Sequence, residues 1–281
     1  MATISGATRL VAVIGDPARH SLSPAIHNAA FAACGLDWVY LAFDVARGHA
    51  LEALTAMRVL DIAGYSVTMP HKTDVAAGVD ECTTAASALG AVNCVINESG
   101  VLVGDNTDGE GFLRGLHAET GLDVAGRRCV VLGAGGAARA VIHALGRAGA
   151  SEVIVVNRSA EAAERAAGLV GATGRVAGPE AVAHADLVVN ATPLGMRSYS
   201  PAAVPCDPAL VASAAVVVDL IYDPLETPWL AALRARHLQV CNGLSMLVHQ
   251  AALQFERWTG ADAPLAVMHG AVRGHLMDGT P

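Results

Sequence analysis

The chain has 281 residues, of which 53% are hydrophobic and only 16% charged, with a formal net charge of -8. That length suits two domains of ordinary size around a large apolar core. The acidic balance, with no basic stripe to offset it, argues against nucleic acid while leaving small anionic ligands open in a locally positive pocket.

Arg9 to Gly15 reads as a short buried strand, followed at Ser21-Leu22-Ser23-Pro24 by a helix start. Ser23 suits the N-cap and Pro24 the first helical position, with the helix running to about Cys34. Ser21 and Ser23 can also hold a carboxylate beside the free N–H groups of that helix start, and both readings stay open. Trp38 to Asp44 is a second strand, His49 to Arg58 a helix, and Asp61 to Thr68 a third strand that Pro70 stops. Lys72 opens the next segment and is the only lysine of the chain, against seventeen arginines. A lysine can release and regain a proton where arginine cannot, and the carboxyl end of a strand is where α/β proteins place chemistry. Lys72 is therefore the leading acid/base candidate.

A helical stretch through Glu81 to Leu89 follows, then a strand over Gly90–Asn97. Glu98-Ser99-Gly100 is turn chemistry, and the hairpin partner Val101–Gly104 adds an antiparallel piece at a sheet edge. Asp108 begins a helix to about Thr120, as a cap or as the carboxylate that a functional lysine needs.

Arg127 to Leu132 is a strand running into Gly133-Ala134-Gly135-Gly136-Ala137 and an alanine-rich helix to about Ala148; Glu152 to Val156 is the next strand. This is a GxGxxA loop in its βαβ context, where a pyrophosphate can rest on a helix N-terminus. After the second strand stands Asn157-Arg158-Ser159 rather than an acid, which favours NADP: Arg158 can pair with a 2′-phosphate, and Ser159 can donate to it or cap the next helix. Asp186–Asn190, Ala214–Leu220 and Leu238–Cys241 are further strands, and Arg197–Pro208 is a proline-bearing loop expected over the cofactor. Helices from Gly243 to about Trp258 and from Pro264 onward have no strand partners and are expected to pack back on the first domain.

The alternation predicts an α/β protein: a mostly parallel N-terminal domain (1–108 with 243–281) and a Rossmann-type dinucleotide-binding domain (109–242). Six cysteines and eleven histidines are scattered without metal-ligand spacing, so no metal is expected. No signal-peptide pattern and no membrane-length apolar run is seen, so the expected location is the cytoplasm, with no membrane partner.

In order along residues 9 to about 256, the chain closely resembles the shikimate dehydrogenase family. The resemblance rests on Ser21-Leu22-Ser23-Pro24, Val67-Thr68-Met69-Pro70-His71-Lys72, Gly90-Ala91-Val92-Asn93, Asn106-Thr107-Asp108-Gly109, Gly133 to Ala137, Asn157-Arg158-Ser159, Asn190-Ala191-Thr192-Pro193 and Met246-Leu247-Val248-His249-Gln250. It implies reversible reduction of 3-dehydroshikimate to shikimate with NADPH in aromatic amino acid biosynthesis, by a monomer or homodimer. It also implies that Ser21 and Ser23 bind the substrate carboxylate, that Thr68, Asn93, Asp108, Tyr222 and Gln250 bind ring hydroxyls, and that Lys72 and Asp108 form the catalytic pair. NADP would meet Gly133, Ala134, Gly135, Gly136, Ala137, Asn157, Arg158, Ser159, Thr192, Leu220 and Gly243.

Three departures stand out. Ser66 replaces a frequent Asn, Ser245 replaces a frequent Gly and adds a side chain near the nicotinamide end, and no second arginine follows Arg158 before Arg165. The rival readings are a quinate/shikimate dehydrogenase using NAD or both cofactors, a non-catalytic NADP-binding sensor, and a folate-linked two-domain dehydrogenase without a use for the two serines.

Overall fold

A computed structural model describes residues 4–277 of the chain. Its contacts divide the chain into two compact units, Met1–Thr107 with Val248–Pro281, and Asp108–Leu247. Strands β1 (Arg9–Gly15), β2 (Trp38–Asp44), β3 (Gly64–Val67), β4 (Glu81–Cys82), β5 (Cys94–Glu98) and β6 (Val101–Asp105) form the sheet of the first unit, in the order β2-β1-β3-β5-β6-β4. Pairing is parallel for β1 with β2 and β3 and for β4 with β6, and antiparallel for β3 with β5 and β5 with β6.

Strand alternation sorts this unit into two faces. Ala12, Ile14, Tyr65 and Val67 pack with Leu54, Met57 and Val75 from helices α2 (Ala50–Val59) and α3 (Lys72–Gly78). The residues between them face the other way. There Tyr40 lies beside Trp258, and Phe31 of α1 (Ser23–Ala33) stacks on Phe255 of α9 (Leu244–Thr259) at 5.5 Å. Helix α10 (Leu265–Met277) packs on α1, so the C-terminal helices return to the first unit as expected.

Four local expectations are corrected. The third strand starts at Gly64 rather than Asp61, because Asp61 takes a left-handed turn (φ 50) where Ile62 N–H closes onto the Met57 carbonyl. The stretch 81–89 is not all helix: Glu81–Cys82 is a strand, and helix α4 (Thr84–Leu89) starts only after Thr83, whose hydroxyl accepts from Ala86 N–H. The β5–β6 hairpin is not at the edge, because β4 pairs outside β6. Ser23 is not the cap of α1, for reasons given below.

The second unit holds α5 (Asp108–Thr120) and a fully parallel sheet of β7 (Arg128–Leu132), β8 (Glu152–Val156), β9 (Gly174–Val176), β10 (Leu187–Asn190), β11 (Val216–Asp219) and β12 (Gln239–Cys241). The order β12-β11-β10-β7-β8-β9 is the doubly wound Rossmann order. Both faces are covered, as a parallel sheet requires. Cys129, Val131, Val153 and Val155 face α5, α6 (Gly136–Arg147) and α7 (Ala160–Ala167), while Val130, Leu132 and Ile154 face Trp229 and Leu233 of α8 (Pro228–Ala235). Among the described residues, no helix is long and apolar enough to cross a membrane.

Candidate active site

The polar residues singled out above fall into two groups, one in each unit. In the first unit, α1 begins at Ser23 with Leu22 in the capping position and no side-chain cap. Ser21 Oγ accepts from Ser23 N–H at 3.2 Å, Ser21 N–H goes to the Ala18 carbonyl, and Ile26 N–H to that of Leu22. Pro24 has no N–H. The Ser23 and Ile26 amides of this helix start are thus already used, and the Ser21 hydroxyl is a donor a ligand would meet. The Ser23 hydroxyl is a hydrogen-bonding neighbour of Tyr40.

Lys72 is the first residue of α3 and half-buried. Its carbonyl accepts from Val92 N–H at 2.9 Å, and the next residue, Asn93, holds Thr107. Asn93 Oδ1 accepts from Thr107 N–H at 2.8 Å and Asn93 Nδ2 donates to Thr107 Oγ1 at 3.0 Å. Thr68 N–H donates to the Ile14 carbonyl and the Thr68 carbonyl accepts from His71 N–H, which fixes the turn between β3 and α3. The His71 ring, fully buried, donates through Nε2 to the Val45 carbonyl at 2.7 Å and holds the base of α3.

Behind these groups lies a buried polar chain that residue order alone could not reveal. Tyr40 Oη donates to Ser66 Oγ at 2.6 Å, and Ser66 Oγ donates to Gln254 Oε1. Gln254 Nε2 donates to the Asn93 carbonyl at 3.2 Å and to Gln250 Oε1 at 3.0 Å. Burial pushes the Tyr40 hydroxyl well above the usual phenol range, so Tyr40 remains a donor at any working pH.

In the second unit, Asp108 is buried and opens α5 directly after Thr107. Gly133 adopts φ 113, and an added Cβ there would sit 3.0 Å from the Ala191 carbonyl, so this loop position needs glycine. At Gly135 and Gly136 an added Cβ would meet nothing within 4 Å. Ala134, Gly135, Gly136, Arg139, Ala162 and Arg165 line a cavity of about 320 Å³ at the N-terminus of α6. This fits a dinucleotide phosphate: glycines that admit close approach, a helix N-terminus, and two guanidiniums. Arg139 was not foreseen; its signal is its place one turn after Gly136, on the same side of the helix.

Ser159 caps α7 through its Oγ, which accepts from Ala162 N–H at 3.3 Å, and Asn157 Nδ2 donates to the Ser159 carbonyl. Arg158 is exposed beside them. At the carboxyl ends of β10 and β11, Asn190 Oδ1 accepts from the N–H and hydroxyl of Thr192, and Asn190 Nδ2 donates to Asp219 Oδ1 at 2.9 Å. Burial raises the Asp219 carboxyl to about 6, opposed by donors from Thr227, Ile221 and Asn190. Leu220 follows, and an added Cβ at Gly243 would lie 2.0 Å from the Leu220 carbonyl oxygen. Tyr222 has its hydroxyl raised by burial, then by Asp223, and so stays protonated. Ser245, foreseen as an addition near the nicotinamide end, turns its hydroxyl toward the Gly115 carbonyl of α5 at 3.4 Å.

Comparison with known proteins covers both units of the chain. Residues 13–95 match the family model described as shikimate dehydrogenase substrate binding domain, and residues 243–273 match that of the shikimate 5′-dehydrogenase C-terminal domain. Residues 128–219 match one described as NADP oxidoreductase, coenzyme F420-dependent. The shikimate dehydrogenase (NADP(+)) of Moorella thermoacetica is 44% identical, over 97% of this chain and 95% of that one. Among solved structures, shikimate 5-dehydrogenase of Thermus thermophilus, in complex with NADP(H) and shikimate, is 38% identical with a TM-score of 0.88, over 95% of this chain and 99% of that one. Quinate dehydrogenase of Corynebacterium glutamicum, in complex with NAD, is 32% identical with a TM-score of 0.87, over 95% and 99%. With its motifs in order and 95–97% of its length aligned to such relatives, the chain belongs to the shikimate dehydrogenase family.

Proposed function

We propose that this chain catalyses the reversible, NADP-linked reduction of 3-dehydroshikimate to shikimate in aromatic amino acid biosynthesis. The observation that carries the reading is the seat of the only lysine. Lys72 stands at the head of α3, just past the carboxyl end of β3, and its carbonyl is tied to Val92 beside the Asn93–Thr107 clasp. Asp108 is the residue that follows that clasp.

The hydroxyls of Ser21 and Ser23 hold the substrate carboxylate, and Thr68, Asn93, Tyr222 and Gln250 receive the ring hydroxyls. When bound, NADPH supplies hydride to the carbonyl carbon. Lys72 delivers a proton to the carbonyl oxygen, so that an alcohol forms rather than a costly alkoxide. Asp108 orients the Lys72 ammonium for that transfer. Gly133 to Ala137 receive the pyrophosphate, Arg158 and Ser159 serve the 2′-phosphate with Asn157 shaping their turn, and Thr192, Leu220 and Gly243 border the nicotinamide end. Arg139 and Arg165 join the phosphate contacts. The working form is a cytoplasmic monomer or homodimer acting on small molecules alone.

The test is Lys72→Arg, which keeps the charge but holds its protons too tightly to give one up. NADP affinity and melting temperature should match the parent, while turnover with shikimate falls by about 10²-fold or more. Turnover within about threefold of the parent would remove Lys72 from the proton transfer.

A further inference from the structure

We propose that Gln254 is a positioning residue that fixes which end of the Gln250 carboxamide faces the ligand, and that Tyr40 and Ser66 set its direction. Gln254 is buried at 2% exposure, while Gln250, one turn earlier on α9, is half-buried. A carboxamide has an accepting end and a donating end of nearly the same shape, so an isolated glutamine presents either. Here the choice is made by a directed chain of hydrogen bonds. Tyr40 Oη gives its one proton to Ser66 Oγ, and Ser66 then gives its own to Gln254 Oε1. That leaves the Gln254 amide as donor to the Asn93 carbonyl and to Gln250 Oε1. With its oxygen held by Gln254, Gln250 turns its amide N–H groups away from Gln254 and is set as a hydrogen-bond donor. The group that this amide meets on the ligand is an acceptor, such as a hydroxyl or carbonyl oxygen.

The chain also explains a long-range arrangement in the first unit. Ser66 and Gln254 are 188 positions apart, yet both lie on the sheet face that holds Tyr40 and Trp258. Because the Asn93 carbonyl is a second acceptor for Gln254, the same amide braces the residue that clasps Thr107.

This inference rests on the reading that Gln250 contacts the substrate, and the experiment separates the two. Gln254→Leu, Gln250→Ala and the double variant are compared by KM for shikimate, kcat, KM for NADP and thermal melting. Gln254→Leu should raise the KM for shikimate about fivefold, with kcat and the KM for NADP nearly unchanged, as expected for one misaimed hydrogen bond. In the Gln250→Ala background the same change should add nothing to the KM for shikimate, because the group it positions is gone. If Gln254→Leu does not fold, Gln254→Glu keeps the shape and removes the donor, with the same expected outcome. An unchanged KM in the Gln254 variants, or an equal added rise in the Gln250→Ala background, overturns the positioning role. An unchanged KM in Gln250→Ala alone would instead overturn the substrate contact on which it rests.

Discussion

His27 shows how far a single buried residue can work against its own fold. It is fully buried, neither ring nitrogen has a hydrogen-bond partner, and it stacks flat on Tyr40 at 4.5 Å. Burial lowers its ring to about 3 from the ordinary 6.5, so it stays neutral in the folded chain. An unpartnered buried polar group costs about 1–3 kcal/mol. His27→Phe keeps an aromatic ring and removes that cost, so the melting temperature should rise by a few degrees at pH 8. The gain should grow as pH falls. Below about 6.5 the unfolded chain takes a proton on histidine that the folded chain refuses until about 3, so the parent loses stability across that window and the variant does not. Melting curves of both proteins at pH 8 and pH 5 check this, and an equal gap at the two values would mean that His27 is not held neutral. Nothing in the sequence marks His27 as anything but a helix residue, because its aromatic neighbours Tyr40 and Trp258 arrive from β2 and α9.

Elements are most legible where local chemistry sets them. The bounds of β1, β2 and β8 follow from apolar runs closed by turn residues, and the cap of α7 follows from Ser159 alone. The start of α1 differs from its expected form because the partners of Ser23 are Ser21, two residues before it, and Tyr40, which comes from another strand. Strand β4 escapes a sequence reading because two residues carry no period, and only its pairing with β6 defines it. Gly64 in β3 shows tertiary packing choosing a residue. An added Cβ there would lie 2.1 Å from Trp258 Nε1, the atom that donates to the Val95 carbonyl at 3.0 Å. Gly64→Ala should force the indole aside and cost roughly 2–4 kcal/mol, from overpacking plus a lost buried hydrogen bond. Denaturant unfolding measures it, and a loss below about 1 kcal/mol would show that the α9 contact yields easily.

For the whole molecule, the alternation of strands and helices and the glycine loop made the α/β class, the Rossmann sheet and the return of the C-terminal helices legible. The candidate residues were legible through motif resemblance, whereas the network supporting them was not: Tyr40, Ser66 and Gln254 meet only once three distant segments fold. The cofactor preference is likewise a property of assembled parts. No acid follows β8, Arg158 is exposed beside Ser159, and Arg139 and Arg165 come from two helices to the same cavity. These positive groups favour a ligand carrying the extra 2′-phosphate. The most direct measurement is therefore the initial rate of cofactor reduction with shikimate and with quinate, each against NADP and NAD. The expected result is high turnover with shikimate and NADP, with kcat/KM for the other three pairs lower by about tenfold or more, the effect of about 1.4 kcal/mol. Comparable rates with quinate or with NAD would contradict it and place the chain with enzymes of dual specificity, and no turnover in any pair while NADP still binds would contradict catalysis itself.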